Sequence, residues 1–498
     1  MSKVGADDFI TATGANAEVL NALPRKVVDS LFRGEPTPLS PAQDFRDGQL
    51  FLGWTLHKQI EEPTKAGKRP VRVKEIYLIT SCGAIYASQP ARGSLVELRR
   101  LAEPGPPSVY VLDQGFHTRE EGSEWARDYL GGTRAPTLSL LRNLQDLLAR
   151  RVVFPDRRYP LVIALWVMGT YVFRIFEAYP YLWIRSPAKR CGKTRLLDTL
   201  ARLAFNARRR ITRPTEAFLF RAAERDGGTQ LIDETDNLQG DREGWPAVLA
   251  VLNHGYTKGG MVPRVNRETG EVQEFDAFCP KAVAGLKGLA DTLEDRSLPV
   301  ILQRKRKGEG ERMRWAAFET AARPLRHDLR IWALEHAPAL AEIYGAQEPA
   351  ALLAGLDDRA ADLWEPLVSL GLLADGEAQG EGEFTRELLA LARELAGIRE
   401  AAEEEATTPA LVSTLRKLVR CSGGRTKFTP KAVLDAVKAE DGLAWVSSHK
   451  ALAALLQPLG IFSRTVRFED GRRTRGYILG PDHLADLAAR YSSGGEEE

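Results

Sequence analysis

Residues 181–200 read YLWIRSPAKRCGKTRLLDTL, an apolar strand, Tyr181–Arg185, running into a basic, glycine-bearing turn and then into a helix, Thr194–Ala204. The core of the turn is Cys191-Gly192-Lys193-Thr194. A loop of this kind aims consecutive backbone N–H groups at phosphates, with the positive end of the following helix behind them. Lys193 then reaches the β/γ-phosphates and the Thr194 hydroxyl ligates Mg²⁺. Gly192 lets the backbone approach closely, where a side chain would stand in the way. Pro187 occupies the place of the first glycine of G-x-x-x-x-G-K-[ST]. Ser186, Pro187, Ala188, Lys189, Arg190, Cys191, Gly192, Lys193 and Thr194 are therefore the candidate nucleotide-binding residues. G-K-T alone recurs by chance; the strand, loop and helix around it give it weight.

Forty residues after Lys193 comes Thr229-Gln230-Leu231-Ile232-Asp233-Glu234, an apolar strand ending in two acids. Asp233 is placed at the carboxyl end of a strand beside the phosphate loop, holding the Mg²⁺ shell together with Thr194. Glu234 orients and deprotonates the attacking water. The alternative is a degenerate site that binds nucleotide without hydrolysing it. Short strands near Arg210–Thr212 and a helix capped by Thr215 fill the interval, the alternation of a parallel α/β sheet.

Several further stretches carry a resemblance: S-P-x-K-x-C-G-K-T, EAFLFR at 216–221, L-I-D-E-T-D, D-R-S at 295–297 before a strand, and D-R-A-A-D-L-W-E-P-L from Asp358. With these, residues 160–370 resemble an AAA+ ATPase of the minichromosome-maintenance and superfamily-three helicase type found in mobile-element replication proteins. The resemblance implies ATP and Mg²⁺ as cofactors, a ring of subunits (a hexamer), and DNA, single-stranded or forked, as partner. It makes Arg296 an arginine finger for a neighbour's γ-phosphate, against the alternative of a surface arginine paired with Asp295 or Glu294. Arg359 becomes a lid arginine reaching nucleotide, against an ordinary helix-start arginine. The polar sensor that ends the strand before the finger has no clear counterpart in Ala282–Leu289; Lys287 is the nearest polar residue.

The chain's 498 residues suit about three domains, and 44% apolar with 27% charged residues is ordinary globular composition. No run reaches the length of a membrane span, and MSKVGADDFI has no apolar signal region. Cys82, Cys191, Cys279 and Cys421 form no C-x-x-C pair, which fits a reducing cytoplasm and neither a zinc site nor a disulfide framework. The expected fold class is α/β, a P-loop AAA+ core with a helical lid between a small mixed α+β domain and a winged helix-turn-helix. The expected divisions are 1–135, a mixed accessory domain; 136–372, the ATPase; 373–407, an acidic linker; 408–491, the winged helix; and 492–498, a disordered tail. In the first of these Trp54, Lys58, Lys68, Arg69 and Arg72 are either a nucleic-acid contact or a solvated basic surface.

Two elements face nucleic acid in this reading. MVPRVNRETGEVQEF at 261–275 alternates around a Gly turn and reads as a hairpin. The resemblance places it in the ring's pore, with Lys258, Arg264 and Arg267 on the DNA backbone; an inert surface hairpin is the alternative. Residues 408–479 carry thirteen Lys/Arg against five Asp/Glu. Helices at 409–419, 429–439 and 448–459, then strands at 463–468 and 474–479, spell a winged helix. Its third helix offers Lys450, His449 and Gln457, and its wing offers Arg464, Arg467, Arg472, Arg473 and Arg475. An ATP-driven DNA motor is the leading expectation. The alternatives are a nucleotide-switched DNA-binding regulator and a defence or signalling ATPase that unwinds nothing.

Overall fold

In the computed structural model the described residues are 37–491, apart from 41, 65–66, 89–95, 101–108, 113–122, 237–242, 267–268, 286–288, 307–308, 380–381, 405–406, 441–442, 444–445, 447 and 469–470. The first strands are β1 (Thr37–Pro38), β2 (Gln43–Arg46), β3 (Gln49–Thr64), β4 (Gly67–Thr80), β5 (Ile85–Ser88), β6 (Val96–Arg100) and β7 (Val109–Leu112). They form one sheet in the order β1-β7-β6-β5-β4-β3-β2. Trp54 on β3 lies opposite Tyr77 on β4, the rings stacked 5.2 Å apart, and Trp125 of α1 (Glu124–Leu130) meets it edge-on at 5.5 Å. Cross-strand aromatic pairs of this kind stabilise a sheet. Trp54 is thus a core residue and not a nucleic-acid contact, while Lys68 pairs with Glu61 at 2.9 Å.

Next come α2 (Thr137–Ala149) and α3 (Tyr159–Gly169). Every residue of α3 is buried, as expected of a helix apolar on all sides. A continuous helix from Pro160 to Glu177 is expected from the sequence; α3 instead stops at Gly169. The chain doubles back so that the Tyr179 hydroxyl donates to Trp166 O at 2.6 Å, satisfying a carbonyl at the helix end. A Cβ on Gly169 would lie 2.3 Å from that hydroxyl.

The next segment supplies β8 (Tyr181–Arg185), α4 (Lys193–Leu203), β9 (Ile211–Thr212), α5 (Glu216–Asp226), β10 (Gln230–Asp233), α6 (Trp245–His254), β11 (Met261–Val265), β12 (Val272–Asp276), β13 (Lys281–Ala284), α7 (Asp291–Glu294) and β14 (Ser297–Ile301). Five of the strands make a parallel sheet in the order β14-β8-β13-β10-β9. Tyr181–Ile184 and all of β10 and β13 are buried, the continuous run demanded of a parallel strand covered on both faces. Pro299 sits in β14, an edge strand, where a missing N–H is tolerated. The protein is thus mixed α/β with a parallel sheet at its centre.

Four helices follow: α8 (Trp315–Gly345), α9 (Gln347–Leu352), α10 (Asp358–Ala378) and α11 (Glu383–Glu404). The acidic stretch 373–407 is occupied by the end of α10 and by α11. The chain divides into two compact units, Met1–Leu389 and Ala390–Glu498. The second contains α12 (Thr407–Cys421), β15 (Lys427–Phe428), α13 (Pro430–Lys438), α14 (His449–Leu456), β16 (Arg464–Arg467), β17 (Arg473–Ile478) and α15 (Pro481–Tyr491). Its core includes Leu411, Leu415, Val433, Leu452, Leu456 and Leu484. Among the described residues no helix is long and apolar enough to cross a membrane.

Candidate nucleotide site and nucleic-acid elements

The loop between β8 and α4 is set by two left-handed residues, Arg190 at φ 67° and Gly192 at φ 96°. Alternating backbone hand turns successive N–H groups toward one point, the basis of an anion nest. No side chain caps α4, so its first amides remain for a ligand. A Cβ on Gly192 would meet no protein atom within 4 Å; within the chain itself the demand on this glycine is conformational rather than steric. The Lys193 ammonium donates to Ser186 Oγ at 2.7 Å, and Ser186 Oγ donates to Ala188 O at 2.7 Å. Partial burial lowers the Lys193 pKa, opposed by Cys191, Asp236 and Asp233. Pro187, Ala188, Lys189 and Arg190 are exposed along the loop, and Cys191 is buried beneath it.

Asp233 ends β10 and is 5% exposed. Its Oδ2 accepts from Thr194 Oγ1 at 3.2 Å and from Arg210 Nη1 at 3.2 Å, and its Oδ1 accepts from Glu234 N at 2.9 Å. Arg210 also donates to Asp198 Oδ1 at 3.1 Å. Glu234 is exposed, with a left-handed φ of 58°, a conformation that only a few per cent of non-glycine residues adopt. The carboxyl end of β10 lies beside the phosphate loop, in reach of Thr194, although β13 runs between β8 and β10. Spacing along the chain places two strands in one sheet without deciding which are neighbours. At the end of β13, Thr235 Oγ1 donates to Ala284 O at 3.2 Å, tying the two strand ends together. Lys287 lies outside the described residues.

A hydroxyl and a carboxylate converging at hard oxygen atoms fit Mg²⁺. Among the described residues no group of three or more His, Cys, Asp or Glu forms a metal cage. Mg²⁺ in nucleotide sites is generally held by one or two carboxylates together with substrate phosphates and water. Arg210 is the member of this site that the sequence reading missed. Its signal, a basic residue entering the strand that flanks β10, is submerged in the run Arg208-Arg209-Arg210.

Arg296 and Arg359 lie at the other end of the sheet. Tyr181 N donates to Arg296 O at 3.1 Å, so Arg296 stands level with the start of β8, whereas the phosphate loop leaves from its finish. Five residues at about 3.3 Å each separate the two ends by roughly 17 Å. The Arg296 guanidinium bonds Thr292 O and lies 5.2 Å from the Tyr256 ring centroid. Arg359 Nη1 bonds Asp295 Oδ2 at 2.6 Å, so the structure joins Arg359 to the Arg296 end and not to the chain's own phosphate loop. The cause is α8. It starts where Arg151 lies 5.2 Å from the Phe318 ring centroid and ends where the Tyr344 hydroxyl accepts from Glu177 N at 3.1 Å. Its 31 residues, at about 1.5 Å each, carry the chain some ~46 Å.

β11 and β12 pair as a hairpin, with Val265 opposite Val272. Phe275 packs on Phe220 of α5 at 4.6 Å, and Arg264 bonds Glu216 while lying 5.2 Å from the Phe220 ring centroid. Arg264, one position from the turn end of the ladder, is therefore engaged with α5. Lys258 faces Glu177 at 3.7 Å, and Arg267 lies outside the described residues. Buried Lys281 holds the hairpin's feet by donating to Gly255 O, Ala277 O and Cys279 O at 3.0, 3.0 and 3.1 Å.

In the second unit Ser448 caps α14 by accepting from Ala451 N at 3.2 Å, leaving His449, Lys450 and Gln457 exposed. Arg464, Arg467, Arg472, Arg473 and Arg475 are exposed on the β16–β17 hairpin, where Arg467 stands directly opposite Arg473. Like charges so placed destabilise a strand pair.

A family model described as "Protein of unknown function (DUF3631)" matches residues 301–491. No curated protein matches the chain. Among solved structures the chain is similar to "SCCmec type IV Cch - active helicase", at 10% identity over 93% of this chain and 83% of that one, TM-score 0.34. It is similar to "The A form apo structure of NrS-1 C terminal region-CTR(305-718)" at 13% identity over 79% of this chain and 83% of that one, TM-score 0.33. It is also similar to "Structure of Drosophila ORC bound to DNA", at 15% identity over 72% and 92%, TM-score 0.19. At these scores the likeness is loose, and the chemistry is read from this chain's own residues.

Proposed function

We propose that the protein is an ATP-hydrolysing motor acting on DNA, a replicative-type helicase of the AAA+ kind working as a ring, with a hexamer the expected size. The observation that carries this is the separation of two sets of candidate residues to opposite ends of the sheet. Lys193, Thr194, Asp233 and Glu234 gather at the carboxyl end of the sheet, while Arg296 and Arg359 gather at the amino end. Arginines roughly 17 Å from their own phosphate loop serve a phosphate only if it belongs to another subunit.

Lys193 leaves Ser186 to bond the β- and γ-phosphates, and the loop amides hold their remaining oxygens. Thr194 and Asp233 hold Mg²⁺, which neutralises phosphate charge when bound. Glu234 orients a water and accepts its proton as the water oxygen bonds the γ-phosphorus and the bond to the β–γ bridging oxygen breaks, ADP leaving with that electron pair. Arg296 of the adjoining subunit meets charge on the transferred group, and Arg359, one salt bridge away, reinforces it. The 408–491 segment acts as a winged helix, with the arginines of β16 and β17 on phosphates and Lys450 near a groove.

A second reading has one observation in its favour. Residues 261–276 hold four carboxylates against two arginines, and Arg264 is already paired, a weak footing for gripping DNA in a pore. A nucleotide-switched DNA-binding protein would then rely on the second unit alone. Strand displacement on forked DNA separates the two. A motor displaces the strand with ATP and loses this at least about 100-fold in Lys193→Ala or Glu234→Gln. DNA binding without displacement, unaltered by Glu234→Gln, supports the switch.

A further inference from the structure

The segment leaving β14 has no part in the site described above. Gln303–Arg314 reads QRKRKGEGERMR, six Lys/Arg against two Glu. Leu302 N donates to Arg185 O at 2.9 Å and Glu311 N to Arg150 O at 2.8 Å, which seats the segment beside the root of the phosphate loop. Arg304, Arg306, Arg312 and Arg314 are exposed, as are Lys189 and Arg190 on the loop itself. Among the described residues none of these six makes an ion pair. One nucleotide, already met by Lys193 and the loop amides, does not account for a rim of this size.

The opposite end of the sheet carries the complementary charge. Asp357, Asp358 and Asp362 are exposed around the start of α10, and Glu365 follows on the same helix. Asp357 has an internal use, since it caps the helix by accepting from Ala360 N at 3.0 Å. Burial, and then the neighbouring carboxylates, hold the Asp362 and Glu365 pKa values above the usual carboxylate range. This acidic group adjoins Arg359 and Asp295, so it lies around the arginines that must reach another subunit's nucleotide.

We infer that the rim formed by Arg304, Arg306 and Arg312 docks on the acidic start of α10 in a second copy of this chain, head to tail. The inference rests on the trans reading above and gives it a recognition surface. Two different faces meeting in this way make a heterologous contact, the kind that closes into rings. Paired opposite charges fix register and speed encounter, and they weaken with salt. A nucleic acid on the rim is the competing occupant. It would cover the face through which Arg296 has to enter.

Charge reversal tests this in the full chain, with sedimentation velocity in Mg²⁺ and a non-hydrolysable ATP analogue. Arg304→Glu/Arg306→Glu/Arg312→Glu and, separately, Asp358→Lys/Asp362→Lys are each expected to raise the assembly concentration at least about tenfold. Combining all five changes in one chain restores assembly. Mixing the two reversed proteins yields a joint assembly that neither makes alone, which also shows that both are folded. Wild-type assembly untouched by either reversal overturns this inference and leaves the trans reading standing. So does loss of DNA binding in the rim variant with assembly intact. A wild-type chain that stays monomeric with nucleotide and with DNA overturns both.

Discussion

Asp233 is the most heavily engaged side chain of the candidate site, accepting from Thr194, Arg210 and the Glu234 amide. The Arg210 guanidinium occupies Oδ2, an oxygen of the carboxylate that would hold Mg²⁺ in the proposed site. The pair is partly exposed, with Arg210 at 37%, so its worth is about 1 kcal/mol. Arg210→Ala is therefore expected to lower the Mg²⁺ concentration needed for half-maximal binding of a fluorescent ATP analogue about fivefold. A magnesium titration reads this directly, and an unchanged or raised midpoint would assign Arg210 to the phosphates instead. Lys193, Thr194 and Asp233 are legible in the sequence because each sits where an apolar run meets a turn, and local chemistry labels it. Arg210 is not, since nothing in a run of three arginines tells which faces a carboxylate: Arg208 bonds Asp226, and Arg209 is exposed.

At the scale of elements, legibility follows the range of the interaction. Helix starts can be read in both units because Thr215 in the first and Thr429 and Ser448 in the second bond amides three residues on. The helix α8 is obscured by Pro324 and Pro338, each of which costs about 3 kcal/mol or more inside a helix. Burial of Leu329, Ile331, Trp332 and Leu334 along it offsets that cost at about 1.5–3 kcal/mol for each full side chain. Because those contacts are tertiary, no local pattern announces them, and with α8 unseen the destination of Arg359 is unseen too. Also on α8, His336 lies against the Trp332 ring, and burial lowers its pKa below the ordinary 6.5. Below pH 6.5 the unfolded chain takes up a proton that the folded chain resists, so stability falls as pH drops through that value toward the folded pKa. Chemical denaturation between pH 7.5 and about 5 is expected to show this loss, and His336→Asn to flatten it; an identical slope in the variant would move the acid sensitivity elsewhere.

For the whole molecule, the parallel sheet holds Lys193 and Asp233 at one end and Arg296 at the other, and in the proposed motor these ends would carry complementary halves of one reaction. Strand direction alone enforces this. All five strands run parallel, so their carboxyl ends share the phosphate-loop side and a residue preceding β14 is left at the far side. If Arg296 acts across a subunit boundary, two inactive proteins should repair each other. Lys193→Ala chains have no working phosphate loop but present an intact Arg296, while Arg296→Ala chains have the reverse. Mixed in equal amounts at assembling concentrations, half of the nearest-neighbour contacts are of unlike chains. Half of these set an intact loop against an intact finger, so about a quarter of all interfaces are complete. ATP hydrolysis by the mixture should rise well above the average of the two separate proteins, toward about a quarter of wild type where interfaces fire independently. Rate should also climb with total protein concentration, as bimolecular assembly requires. An Arg296 acting within its own chain predicts a mixture no faster than that average at any concentration, and this outcome would place the finger's target on the chain that carries it.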